Sequence, residues 1–296
     1  MAKRKIKKMK QIVVISGKGG TGKTTIVASF AALAENAVIA DCDVDAPDLH
    51  LILKPEIKET QEFHGSKVAI KDDSKCIECG KCESVCRFDA VNQNFEIDDI
   101  RCEGCGACVF ICPEEAIQLK EKISGHAYIS ETRYGLMSHA KLNIAEEASG
   151  KLVTVVKENA KTVAENNGKD LIIIDGSPGI GCPVIASLSG VDLALIVTEP
   201  TMSGIHDLKR ILSVAKHFGV KTVVCINKYN INLENTNKIK NFCGKEEISI
   251  AGEIPFDPAV TKAMIAGKPV VEFSSGRVSN EIKNIWENIK NNLLKG

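Results

Sequence analysis

Gln11-Ile-Val-Val-Ile-Ser-Gly-Lys-Gly-Gly-Thr-Gly-Lys-Thr-Thr25 decides the fold of this 296-residue chain. Its first six residues carry an unbroken apolar run, Ile12 to Ile15, the pattern of a strand buried on both faces. A glycine loop follows, and then Ile26, Val27, Phe30 and Leu33 recur at helical spacing. Strand, glycine loop and helix together make a phosphate cradle. The backbone N–H groups of Gly19, Gly20, Thr21, Gly22 and Lys23 would converge there at a helix N-terminus. Gly17, Gly19 and Gly22 also fit a dinucleotide turn, with Asp41 about 20 residues on. Lys23-Thr24 decides between the two. A lysine serves terminal phosphates and a hydroxyl serves Mg2+, and a dinucleotide turn needs neither. The expected ligands are a nucleoside triphosphate and Mg2+, held by Gly19 through Thr24, with Thr25 beside them.

Further apolar runs lie at 37–40, 171–174, 193–197 and 222–226, with a helical stretch at 205–218. Unalternating strands separated by helices imply an α/β fold with a mostly parallel, doubly wound sheet. Ile282, Ile285, Trp286, Ile289 and Leu293 form a stripe that fits a closing helix docked on the core. Its polar face mixes Glu, Lys and Asn, unlike the basic face of a membrane-surface helix.

Eight of the 12 cysteines form two matched runs, Cys76-x2-Cys79-x2-Cys82-x3-Cys86 and Cys102-x2-Cys105-x2-Cys108-x3-Cys112-Pro113. This is bacterial ferredoxin spacing, twice. It implies two 4Fe–4S clusters with crossed ligation. Cys76, Cys79, Cys82 and Cys112 would hold one, and Cys102, Cys105, Cys108 and Cys86 the other. Zinc ribbons use separated pairs, four ligands per metal. Arg87 stands where the second run has Pro113. Residues 72–120 are expected as a small inserted α+β ferredoxin-like domain, with strand-like pieces at 90–97 and 116–120. Residues 1–71 plus 121–296 are expected as the P-loop domain.

Formal net charge is zero, which gives no whole-protein case for nucleic acid. Lys3, Arg4, Lys5, Lys7, Lys8 and Lys10 crowd the N-terminus, as a solvated leader or a contact with an anionic surface. No apolar run nears the roughly 20 residues of a membrane span, and no signal-peptide pattern opens the chain. With metal-spaced cysteines, the expected location is a reducing cytoplasm.

Lys18, directly after the first glycine, makes the loop G-K-G-G-T-G-K-T-T. This resembles the deviant Walker A of the MinD/ParA superfamily of P-loop ATPases, here with an inserted two-cluster ferredoxin domain. The superfamily includes the nitrogenase iron protein and Mrp-type cluster carriers, and the likeness covers nearly all of residues 11–294. It implies ATP as the nucleotide and Lys18 acting in trans across an ATP-dependent dimer, a homodimer or a heterodimer with a paralogue. Lys18 and Lys23 would then serve catalysis, with Asp43 of Asp41-Cys42-Asp43 positioning the attacking water. Asp175 would bind Mg2+, and Asp175–Gly179 resembles switch II. Asn227-Lys228 and Pro255-Phe256-Asp257 resemble adenine-side elements. Ser149-Gly150-Lys151-Leu152 and Gly181-Cys182-Pro183 fit the same likeness. Cys182 lies where the iron protein has a ligand of a shared cluster. The second such ligand has no match between residues 113 and 174, so a bridging cluster and a packed thiol both stay open.

Three functions follow from this combination. The first is ATP-coupled electron transfer toward a partner metalloprotein, favoured because fully thiolate-ligated clusters carry electrons. The second is ATP-dependent assembly or carriage of clusters or metal cofactors for a metallocofactor partner. The third is a ParA/MinD-like positioning ATPase with the clusters as a sensor.

Overall fold

The computed structural model describes residues 9–143, 146 and 149–294, so Lys3 to Lys8 lie outside the described residues. In chain order the strands are β1 (Lys10–Ser16), β2 (Ala37–Asp41), β3 (Glu56–Phe63), β4 (Ser66–Lys71), β5 (Ile117–Lys122), β6 (Gly125–Thr132), β7 (Gly135–Leu142), β8 (Leu171–Pro178), β9 (Leu193–Thr198), β10 (Thr222–Asn227) and β11 (Ser249–Ile254). The helices are α1 (Lys23–Leu33), α2 (Leu49–Leu53), α3 (Lys81–Val85), α4 (Ala107–Ile111), α5 (Ser149–Asn166), α6 (Cys182–Leu188), α7 (Met202–His217), α8 (Leu233–Lys245), α9 (Pro258–Ile265), α10 (Val270–Phe273) and α11 (Arg277–Leu294).

Nine strands form one sheet in the order β11-β10-β9-β1-β8-β2-β7-β6-β3. From β11 through β7 each strand pairs with its neighbour in parallel. β1 lies between β8 and β9, and Ile12 to Ile15 are wholly buried. The unalternating sequence thus reflects helices on both faces. α1 is buried nearly all round, and its Phe30 ring packs 4.9 Å from that of Trp286 on α11. Ile282, Ile285, Trp286 and Ile289 are all buried, so the closing helix is docked on the core. No described helix is long and apolar enough to cross a membrane.

Chain order turns back at β1: the connection from β1 leads to β2 on one side, and β9 lies on the other. The crevice at the carboxyl ends of strands at such a point is where open α/β sheets bind ligands.

By internal packing the chain divides into Met1–Thr60, Ala127–Lys141 and Ser149–Gly296 as one unit, and Gln61–His126 with Leu142–Ala148 as the other. The smaller unit is wider than 72–120. Its frame is the antiparallel β4–β5 ladder, running from Ser66 opposite Lys122 to Lys71 opposite Ile117. The duplication is visible in the backbone. α3 and α4 each start after a left-handed glycine, Gly80 at φ 72° and Gly106 at φ 80°. Each ends at a cysteine in nearly the same extended conformation, Cys86 and Cys112. The expected strand at 90–97 is only a Val91–Ile97 bridge. The Asn92 side chain accepts from the N–H groups of Asn94 and Glu96 and curls this segment into a turn.

Candidate functional site

The glycine loop lies between β1 and α1 as the sequence requires. Gly20 and Gly22 have φ of 76° and 93°, a region that favours glycine. A Cβ on Gly22 would strike the Asn227 amide, and one on Gly17 would lie 2.5 Å from the Asp207 Cβ. Gly19 and Gly20 meet nothing within 4 Å. The first and last glycines are therefore packing requirements, and the middle two leave an open cradle. Asn227 fixes the loop from β10: its Nδ2 donates to the Thr21 carbonyl at 2.7 Å and its Oδ1 accepts from the Lys228 N–H.

A cavity of about 690 Å3 opens in front of this loop. Gly19, Gly20, Gly22, Lys23, Thr24, Thr25, Asp43, Asn227 and Pro255 all line it. Beyond the phosphate end the walls are apolar, with Leu51 and Ile52 from α2, Val260 and Met264 from α9, and Ile282 from α11. Asp45 and Asp48 add two carboxylates that sequence reasoning did not single out.

Asp41 and Asp175 sit opposite each other in the β2–β8 register, both buried. The Asp41 Oδ1 accepts from the Asp43 N–H, while its Oδ2 has no partner. Neither Asp175 oxygen has a well-formed hydrogen bond, although the nearby Thr24 hydroxyl favours its charged form, and the buried Thr21 hydroxyl also lacks a partner. Burial pushes the Asp175 carboxyl up to about 7, with the Lys23 charge pulling the other way. Burial, with the neighbouring Asp175 charge, also raises Asp41, and burial raises Asp43 against the pull of Lys23. Buried, unpartnered carboxylate oxygens beside an open glycine cradle fit a hard cation bound with phosphate. Thr24 and Asp175 are the residues that would hold Mg2+, with Lys23 on the phosphates.

Lys18 is absent from the cavity wall. Its ammonium is 2.5 Å from the Glu199 Oε1 and donates to the hydroxyls of Thr201 at 3.3 Å and Ser203 at 3.2 Å. The other Glu199 oxygen accepts from Lys228, which also donates to the Gly20 carbonyl. Burial would raise the Glu199 carboxyl, but the two lysines more than reverse this and hold it below the usual carboxylate range. Sequence reasoning missed Glu199. One acid after a strand carries no signal until the fold brings it to Lys18.

In the smaller unit, Cys76, Cys79, Cys82 and Cys112 line one small cavity with Phe95 and Ile117. These are the four cysteines expected on one cluster. Cys86, Cys102 and Cys108 pack with Cys82 and Cys112 around Ala69, Val91 and Ile117. The Cys102 sulfur accepts from the Ala69 N–H and the Cys112 sulfur from the Ala116 N–H. All 12 cysteines are free thiols. Among the described residues no group of three or more His, Cys, Asp or Glu closes on a single metal ion. One expected set of four thiols thus lines one cavity, while of the other set Cys86, Cys102 and Cys108 pack together and Cys105 is exposed outside that packing. Thiols are the donors an iron–sulfur cluster would take.

Cys182 is exposed at the start of α6. A Cβ added to Gly150 would lie 3.1 Å from the Cys182 Cβ, so the two stretches singled out in the sequence pack together. Cys42, Cys225 and Cys243 are buried, and burial pushes all three thiols up, Cys243 to about 11.

Strand, cradle, buried acids and cavity define a P-loop nucleotide-binding protein. Residues 12–270 match the CobQ/CobB/MinD/ParA nucleotide binding domain, and the chain belongs to that family of ATPases. It is 39% identical over 284 residues to an uncharacterized protein of Methanocaldococcus jannaschii, covering 95% of this chain and 96% of that one. It is 27% identical over 264 residues to an uncharacterized ATP-binding protein of the same archaeon, covering 88% and 79%. Among solved structures it resembles the septum site-determining protein MinD complexed with Mg-ADP from Pyrococcus horikoshii, at a TM-score of 0.59 and 17% identity over 97% of each chain. That likeness is one of fold.

Proposed function

We propose that this ATPase couples its nucleotide state to two 4Fe–4S clusters, and that the coupling serves electron transfer toward a partner metalloprotein. The observation that carries this reading is the gathering of Cys76, Cys79, Cys82 and Cys112 around one cavity. The cysteine from the far run thereby joins the three of the near run, as crossed ligation requires. Four thiolates per cluster leave no site open for cargo release, which favours electron carriage over cluster delivery.

In the nucleotide site, the N–H groups of the cradle and the Lys23 ammonium bind and orient the phosphates. Thr24 and Asp175 would hold Mg2+, which would supply neutralising charge to the phosphates. Asp43, half-buried at the cavity wall, holds the attacking water in line. A dimer forms with ATP, and Lys18 completes the partner's site.

The family comparisons favour a second reading. The family whose model it matches is described by MinD and ParA among its members, which supports a positioning ATPase with the clusters as sensor. A fluorescent fusion separates the two. A focused or oscillating pattern lost in Lys18→Ala supports positioning, and a uniform distribution supports electron transfer. Anaerobic purification with iron and sulfide analysis, EPR and an ATPase assay tests the proposed pairing of activities. ATPase activity with two EPR-active clusters per chain is expected, and a protein that hydrolyses ATP but takes up no iron contradicts the cluster half.

A further inference from the structure

We infer that Glu199 is a positioning residue that stores Lys18 within its own protomer, so that Lys18 reaches a partner's nucleotide only when this contact opens. The inference rests on the dimer reading above.

A lysine ammonium has three protons to donate. Here three acceptors surround it, Glu199, Thr201 and Ser203, all from the end of β9 and the start of α7. The group is satisfied in cis while contributing nothing to its own cavity wall. β9 is the sheet neighbour of β1, with Ile15 opposite Ile196. The start of α7 presses on the loop so closely that Gly17 has no room for a side chain beside Asp207. The holding site and the loop are therefore one packed construction.

Glu199 is also only 12% exposed at its side chain. A carboxylate stripped of its only counter-charge there would be costly. It has a second one: Lys228 stays on the other oxygen, 3.1 Å away, and in turn holds the Gly20 carbonyl. Lys18 can leave without stranding the charge it leaves behind. That arrangement suits a holder that must open and close, and it links the opening to the loop that faces the nucleotide.

The test is self-association by sedimentation velocity with and without a non-hydrolysable ATP analogue, for wild type, Glu199→Gln, Ser203→Ala and Lys18→Ala. Glu199→Gln keeps the shape and removes the charge. Its dimer should be tighter by up to roughly fivefold, the upper end for an ion pair near a protein surface. Ser203→Ala removes one acceptor of Lys18 without touching Lys228, and should move the same way by less. MgADP affinity of the monomer separates this from a structural role. If Glu199 only anchors Lys228, the variant weakens MgADP binding and does not tighten the dimer. Wild type that pairs, with Glu199→Gln and Ser203→Ala pairing no more tightly, overturns the storage role and leaves the dimer standing. No nucleotide-dependent dimer in wild type, Glu199→Gln or Ser203→Ala overturns both. Should Glu199→Gln fail to fold, Ser203→Ala decides.

Discussion

The Ser177 hydroxyl donates a 2.7 Å hydrogen bond to the Cys42 carbonyl. The Cys42 N–H in turn donates to the Asp175 carbonyl at 2.8 Å. These two bonds stitch the segment carrying Asp41 and Asp43 to the one carrying Asp175, so the acids on β2 and β8 are set as a unit. Ser177→Ala leaves a buried carbonyl without its partner, at a cost of about 1–3 kcal/mol. Thermal unfolding should show that loss, and the steady-state ATPase rate should fall with it. An unchanged melting temperature would mean the stitch carries no weight.

The glycines should separate by position. Gly19→Ala meets open space, so its stability should stay within about 0.5 kcal/mol of wild type while ATP affinity drops, because the methyl enters the cradle. Gly22→Ala places a side chain at φ 93° and against Asn227, and should lose stability first. Paired calorimetric unfolding and nucleotide titration check the contrast, and equal melting losses would contradict it.

Asp175 gives a pH signature. Its folded pKa of about 7 stands above the ordinary 3.8, so the folded state holds an extra proton between those values. Its contribution to stability therefore falls as pH rises from about 4 to about 7. His139, pushed down to about 4 by burial from the ordinary 6.5, acts oppositely. There the unfolded chain holds the extra proton, and stability is lost as pH falls from about 6.5 to 4. Unfolding of nucleotide-free wild type minus that of Asp175→Asn across this range isolates the first slope. MgADP affinity should rise with pH through 7, since the cation requires the carboxylate charged. A pH-independent difference between the two proteins would rule out the assigned shift.

Crossed ligation predicts a specific pattern of iron loss. Cys112→Ala and Cys86→Ala should each cut iron from about eight atoms per chain to about four, and the double variant should hold none. Cys182→Ala should leave the count unchanged, because it lies on α6, outside the packed thiols of the smaller unit. Iron loss in Cys182→Ala would move a ligand from the smaller unit to the exposed thiol on α6.

The sheet centre was legible because burial on both faces writes itself as unbroken apolar runs, as in Ile12 to Ile15 and Ile172 to Ile174. β8 nonetheless outruns its apolar run. It continues through Asp175 to Pro178, held by pairing with Ser16. The wing of β7, β6 and β3 was not legible. Seven of the eight residues of β3 are exposed, so no pattern marks it, and only its ladder makes it a strand. In the smaller unit the cysteine spacing was the whole signal, and the local competition of the Asn92 side chain for backbone N–H groups hid the break at 90–97. Gly19, Gly20, Gly22 to Thr25, Asp43, Asn227 and Pro255 were named from motifs and do line one cavity, whereas Lys18, Thr21 and Asp175, named with them, do not. Glu199, Asp45 and Asp48 were not, since their meaning lies in neighbours distant along the chain.

An anaerobic redox titration followed by EPR, with and without MgATP, tests the central claim most directly. Coupling of nucleotide state to the clusters predicts a potential shift of about 60 mV or more in at least one of them, a tenfold change for a one-electron couple. Lys23→Ala should abolish that shift. Potentials that stay fixed across nucleotide states, in protein that hydrolyses ATP and holds both clusters, would contradict the claim.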